Sequence, residues 1–112
     1  QKLDSPSGTA MMIAEAIDSS LGNTMEFVYG RHGREASLAK RKENEIGIHS
    51  VRGGALVGEH NVVFAGQGET LEIKHTALSR DVFAYGAIKA AGFLIGKTKG
   101  FYSMKDVVEA KN

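Results

Sequence analysis

Cysteine is absent from this 112-residue chain, and so is tryptophan. The first absence excludes disulfides, thiolate metal ligands and a cysteine nucleophile. Proline occurs once, at Pro6, so the chain turns mostly through its 14 glycines. A charge excess is lacking too: 14 Lys and Arg stand against 13 Asp and Glu, a formal charge of +1. That balance gives neither a nucleic-acid footprint nor a membrane-surface stripe. The basic cluster Lys40-Arg41-Lys42 is followed by Glu43 and Glu45, a mixed run that reads as a solvated loop. No apolar run approaches the ~18 residues of a membrane span, and the opening of the chain lacks the shape of a signal peptide. With 42% hydrophobic and 24% charged residues, the expectation is a cytoplasmic globular domain with one small core.

The hydrophobic pattern supplies the elements. Met12, Ile13, Ala16, Ile17 and Leu21 recur at helical spacing, which predicts a helix over residues 8–21. It begins either at Pro6 or slightly later, with Ser7 or Thr9 as its cap. Gly22-Asn23 stops it. Residues 25–29 alternate and are rich in strand formers. Residues 30–45 are polar and aperiodic, a loop long enough to be functional or mobile. Further strands are expected at 46–52, 59–65 and 69–76, with a turn or bulge at Gly53-Gly54 and a hairpin turn at residues 66–68. In the last strand Leu71, Ile73 and His75 face one way, and Glu72, Lys74 and Thr76 the other. Ser79 is read as the cap of a long helix with Phe83, Ala87, Ala90, Ala91 and Leu94 on its apolar side, ended by Gly96. A short helix near residues 104–108 starts at Ser103, with Asp106 three residues on. The fold class is α+β: a four-stranded mixed or antiparallel sheet with a covering helix, then a long and a short C-terminal helix. No G-x-G-x-x-G follows a strand and no P-loop occurs, so a doubly wound nucleotide fold is excluded.

The opening stretch Lys2-Leu3-Asp4-Ser5-Pro6-Ser7-Gly8-Thr9-Ala10 carries the most chemistry. A helix start leaves N–H groups without intrahelical partners and carries partial positive charge. Gly8 permits close approach to the backbone, Ser7 and Thr9 add hydroxyls, and Lys2 adds a full charge or a proton. Such a terminus suits a carboxylate or phosphate. It equally suits a plain helix cap with a solvated lysine beside it.

Lys2-x-Asp4-x-Pro6-Ser7-Gly8-Thr9-Ala10 resembles the signature of the dihydrodipicolinate reductase family. Ser50-Val51-Arg52-Gly53-Gly54, Val57-Gly58-Glu59-His60, Leu71-Glu72-Ile73-x-His75, Ser79-Arg80 and Gly100-Phe101-Tyr102-x-Met104 extend the likeness along nearly the whole chain. The resemblance implies the C-terminal part of a reductase that transfers hydride from NADPH or NADH to a cyclic dicarboxylate in lysine and diaminopimelate synthesis. It implies that an N-terminal nucleotide-binding domain of Rossmann type is missing, and that the opening stretch is an internal loop. The chain has no initiator Met before it.

By motif position, the resemblance makes Lys2 the catalytic general acid or the electrostatic partner of the substrate. Ser7, Gly8 and Thr9 would hold a substrate carboxylate. Arg80 and Phe83 are the candidates for cofactor contact, although no cofactor is expected on this fragment alone. Residues 1–78 would form a substrate-binding and oligomerisation domain, and residues 79–112 the helices that return to the nucleotide domain. A homotetramer is implied, built by sheet-to-sheet packing with dihedral symmetry. One departure stands out: the family's His four residues before the motif lysine, and the adjacent His, would lie before Gln1.

The histidines in hand are His49, His60 and His75 on expected strands and His32 in the long loop. Their spacing matches no local ligand motif, so no metal site is expected. Glu59 and Glu72 are read as cross-sheet partners, and Arg52 with Glu59 as a strand-pair or interface contact. Residues 79–112, lacking the domain they would pack on, should repack between subunits or be more mobile than the sheet. Two other functions remain open: a structural module that only oligomerises, and a free-standing dicarboxylate-binding or regulatory domain.

Overall fold

Residues 3–110 are described by a computed structural model, the side chain of Leu38 excepted. Eight elements run through them: α1 (Gly8–Ser20), β1 (Glu26–Tyr29), α2 (Ala36–Ala39), β2 (Glu45–Ile48), β3 (Gly58–Ala65), β4 (Thr70–Ala77), α3 (Asp81–Leu94) and α4 (Met104–Glu109). The α+β class stands, with mixed strand pairing: β1 and β2 are parallel, β3 and β4 antiparallel. The four strands, expected as a single sheet, form two ladders of two. The chain divides into two compact units, residues 1–54 and 55–112.

In the first unit Ser7 is extended, and its hydroxyl accepts from the Ala10 N–H at 3.2 Å. That is an N-cap contact, and it starts α1. Gly22 (φ 87°) and Asn23 (φ 58°) take the left-handed conformation that ends the helix. The residues whose spacing predicts the helix are only partly covered in it. Ala14 is buried and Met11, Ile13 and Ile17 are partly covered, whereas Met12, Ala16 and Leu21 face solvent. The two strands pair from Glu26 opposite Glu45 to Tyr29 opposite Ile48. Parallel strands need a crossover of roughly a dozen residues or more, and residues 30–44 supply it, with the single turn α2 inside. The expected strand over 46–52 stops at Ile48, because β1 offers no partner beyond Tyr29. His49, Val51 and Arg52 therefore lie outside any ladder.

In the second unit β3 and β4 form a hairpin closed by the Gly66 N–H on the Glu69 carbonyl at 2.9 Å, with Gly68 at φ 80°. Its register opposes His60 to His75, Val62 to Ile73 and Phe64 to Leu71 on one face. The opposite face is polar and cross-linked. Lys74 pairs with Glu59 at 3.0 Å, Thr76 donates to Glu59 at 3.2 Å, and Asn61 donates to Glu72 at 3.4 Å. Glu59 thus takes Lys74 and Thr76 as partners, where the sequence suggested Arg52. The cap of α3 also differs: Arg80 holds the N-cap position, and Ser79 accepts instead from the Asp81 N–H at 3.1 Å. Partly covered residues on α3 are Gly86, Ala90 and Phe93. Phe93 meets Tyr102 edge-on at 5.7 Å, and the Lys97 ammonium lies 4.4 Å over the Phe93 ring. At α4, Ser103 and Asp106 form the expected capping box.

Little apolar surface is sealed. Ala14 and Ala77 are the buried hydrophobic residues among those described. Leu71 and Ile73, on the apolar face of the hairpin, remain 61% and 60% exposed. Val82, Phe83, Tyr85 and Ile88 are exposed around α3. Among the described residues, these two alanines are all that is buried of the one small core expected from length.

Candidate functional site

The opening motif lies where α1 begins, and its backbone donors are unequally used. Gly8 N–H donates to the Asp4 carboxylate at 3.3 Å, a long contact. Ala10 N–H donates to Ser7 Oγ. The Thr9 side chain is exposed, and neither its N–H nor its hydroxyl has a partner among the described residues. Its chain neighbours and the helix's own backbone aside, no heavy atom of the described residues lies within 4 Å of the position a Cβ on Gly8 would take, so the backbone there is open to approach. Lys2, the expected catalytic residue, lies outside the described residues.

Immediately before this helix start is a cleft of about 300 Å³. Ser5 and Pro6 form one wall; Tyr29 and Gly30 at the end of β1, with Ile48 and Ser50 at and beyond the end of β2, form the other. The cleft is therefore at the carboxyl ends of two parallel strands. Open α/β sheets bind ligands at such ends, because loops diverge there and leave a crevice. The Ser5–Pro6 peptide is cis. The Tyr29 hydroxyl reaches Met11 Sδ at 3.7 Å, which joins the cleft wall to α1. Arg52 donates to the Asp4 carbonyl at 2.6 Å, across 48 residues of sequence.

A charged cluster ties down the crossover between β1 and β2. The Glu45 carboxylate accepts from Arg31 at 2.5 Å and from the Lys42 N–H at 2.9 Å. Arg31 also donates to the Ala39 carbonyl at 3.2 Å, and Arg41 to the Glu45 carbonyl at 3.1 Å. The Lys42 N–H, and then Arg31, hold the Glu45 carboxyl below the usual carboxylate range against the opposing effect of burial. The Lys42 ammonium pairs with Glu26 at 3.0 Å, and this raises its pKa.

The remaining site candidates are on the second unit or outside the cleft. Arg80 and Phe83 are exposed and three residues apart at the start of α3, with the Phe83 N–H on the Arg80 carbonyl at 3.0 Å. Such spacing shares one helix face. His60 and His75 face each other across the hairpin, while His32 and His49 are exposed in connecting segments. Among the described residues no three His, Asp or Glu side chains gather as a metal site would require.

Tyr29, Gly30, Ile48, Ser50 and Arg52 were not singled out for the site from sequence. The available signal was the distance between the first two strands. A crossover of this length permits parallel pairing, and parallel pairing brings both strand ends to the helix start.

Against this geometry, comparison with known proteins is specific. Residues 1–108 match the family model described as dihydrodipicolinate reductase, C-terminus. A 4-hydroxy-tetrahydrodipicolinate reductase of Clostridium novyi (strain NT) is 53% identical over 112 residues, all of this chain and 43% of that protein. One of Clostridium tetani (strain Massachusetts / E88) is 55% identical over 104 residues, 93% of this chain and 39% of the relative. One of Caldanaerobacter subterraneus subsp. tengcongensis is 56% identical over 108 residues, 96% of this chain and 42% of the relative. The chain thus spans well under half the length of these curated relatives.

Proposed function

The chain belongs to the dihydrodipicolinate reductase C-terminal family, and we propose that it is the substrate-binding and assembly part of an oxidoreductase of lysine and diaminopimelate synthesis. The ligand is a cyclic dicarboxylate, 4-hydroxy-tetrahydrodipicolinate. The observation that carries this reading is the exposed Thr9 at the start of α1, its amide and hydroxyl without a partner among the described residues, beside a cleft at the ends of β1 and β2. One ligand carboxylate takes the Thr9 N–H and hydroxyl and competes with Asp4 for the weakly held Gly8 N–H. Ser7 shapes this anchor as the helix cap, and Lys2 supplies charge or a proton to the substrate. Two carboxylates call for a second cationic or N–H-rich anchor.

NADPH or NADH supplies the hydride in this reading, bound mainly by a nucleotide domain outside these residues. Arg80 and Phe83 offer it a guanidinium and a ring at the start of α3. Residues 1–78 bind substrate and assemble, while residues 79–112 return to the nucleotide domain. The assembly is a homotetramer, in which sheet faces cover one another. The chain by itself is inactive, because binding of substrate alone brings no hydride to it.

Calorimetric titration with pyridine-2,6-dicarboxylate, a planar mimic of the substrate, tests the binding role. Saturable binding that is lost in Lys2→Ala and Thr9→Ala variants supports it. The absence of binding leaves the alternative, a module that only oligomerises. Turnover by the isolated chain with NADPH at a rate near that of an intact reductase would refute the predicted inactivity.

A further inference from the structure

We propose that Arg52 is a positioning residue for the dicarboxylate site, a strut that holds the two walls of the cleft at their working separation. This rests on the reading of the cleft and the start of α1 as the substrate site.

β2 stops at Ile48, and the chain beyond it has no ladder to fix its path. Ser50 nonetheless lines the cleft, so something else must hold this segment. The opposite wall, Ser5 and Pro6, is also outside regular structure. Arg52, two residues after Ser50, donates from Nη2 to the carbonyl of Asp4, the residue before Ser5, at 2.6 Å. A charged guanidinium at that distance makes a strong, directional bond to a carbonyl. One contact therefore bridges two irregular walls that are far apart in sequence.

Its influence extends to the helix start. Asp4, gripped at its carbonyl by Arg52, accepts the Gly8 N–H at its carboxylate. Four residues later in the chain come the donors that meet the ligand. A displacement of the Asp4 backbone shifts Ser5, Pro6 and the approach to Gly8 and Thr9 together. Misplacement of binding groups by about 1 Å is enough to lose much of their effect. Arg52 is exposed, so its removal leaves no buried group unpaired and costs the fold little. That separates positioning from folding, and it is why the arginine can be tested.

The test is a titration of the chain with pyridine-2,6-dicarboxylate, followed by amide NMR at Gly8, Thr9 and Ala10 and by calorimetry. Three proteins are compared: the unsubstituted chain, Arg52→Ala and Arg52→Lys. The expected result for Arg52→Ala is affinity at least tenfold weaker, with altered ligand-induced shifts at Gly8 and Thr9. Its β1 and β2 amide signals stay in place, and its melting temperature stays within about 3 °C of the parent. Arg52→Lys, which keeps a cationic donor, recovers part of the affinity. Unchanged affinity and shifts in Arg52→Ala would overturn the strut while leaving the site reading intact. Equal loss in Arg52→Lys and Arg52→Ala, with both folds unchanged, would also count against it, because a carbonyl accepts from an ammonium as well. Failure of the unsubstituted chain to bind would overturn the site reading and the strut with it.

Discussion

Arg31 and Glu45, 14 residues apart, close the crossover between β1 and β2: guanidinium Nη2 meets carboxylate Oε2 with Glu45 only 5% exposed. The same carboxylate takes the Lys42 N–H, so one side chain fixes both ends of residues 30–44. Glu45→Gln keeps the shape and an acceptor but loses the charge that Arg31 needs. The expected outcome is a fall in melting temperature of about 5 °C, with faster amide exchange at Lys42 and at residues 36–40. Unchanged exchange at Lys42 would show that the crossover is held by other contacts.

Acid should act through three carboxyls whose ionised forms are favoured in the fold. The Lys42 N–H, then Arg31, lowers the pKa of Glu45; Lys74, then Thr76, lowers that of Glu59; Ser103, through its hydroxyl and then its N–H, lowers that of Asp106. Each folded pKa is below its unfolded value. The stability each contributes is present above the unfolded pKa, near 4, and is lost as pH falls through the lower folded value. Lys42 has the opposite sign: its raised pKa contributes below the unfolded value and is lost only at strongly alkaline pH. Thermal melts by circular dichroism should therefore be level between about pH 6 and 9 and fall below about pH 4. Glu45→Gln should flatten part of that acid fall. A melting temperature that holds steady down to pH 2 would contradict this assignment.

Ser7 caps α1 through the Ala10 N–H, and this separates its structural share from a ligand role. Ser7→Ala should destabilise by about 1 kcal/mol, and Ser7→Gly by a few tenths, as read by urea denaturation. Dicarboxylate binding should weaken more in Ser7→Ala than in Ser7→Gly, because the alanine frays the turn that carries Thr9. Equal losses of affinity in both variants would instead make the Ser7 hydroxyl a direct ligand contact.

The parts legible in the sequence are those in which local signals agree. Gly22-Asn23 marked the end of α1, and Ser103 with Asp106 the start of α4, because caps are local chemistry; the start of α1 was narrowed to Pro6, Ser7 or Thr9, of which Ser7 is the cap. Alternation along β4 placed Leu71, Ile73 and His75 on one face, as the register confirms. Pairing partners were less legible. Nothing local to Phe27 says that it lies parallel to Ile46 and not in a hairpin, and nothing local to Arg52 points to the Asp4 carbonyl. The covered side of α1 was not legible either: Met12 and Leu21 are apolar but exposed. A period identifies a helix without saying which apolar residues its own chain covers. Ser7, Gly8 and Thr9 could be singled out as candidates because the chemistry of a helix start is contained in a few consecutive residues. The cleft wall was missed because strand ends distant in sequence assemble it.

One face of the hairpin formed by β3 and β4 is apolar. Val62, Phe64, Leu71 and Ile73 share it with His60 and His75, and Leu71 and Ile73 are mostly exposed. Ion pairs and hydrogen bonds already occupy the opposite face through Glu59, Lys74 and Thr76. Water has no such alternative at Leu71 and Ile73, so covering them is favoured at roughly 25 cal/mol per Å² of apolar surface. A second copy of the same face is a cover that closed symmetry supplies without a further partner. Leu71→Lys with Ile73→Lys places two charges in that contact while leaving the hairpin hydrogen bonds intact. Light scattering after size exclusion should show the unsubstituted chain as a tetramer and the double variant as a smaller species. Circular dichroism of the variant should stay unchanged. A tetramer in both would move the assembly surface away from this face, to α3 with its exposed Val82, Phe83, Tyr85 and Ile88.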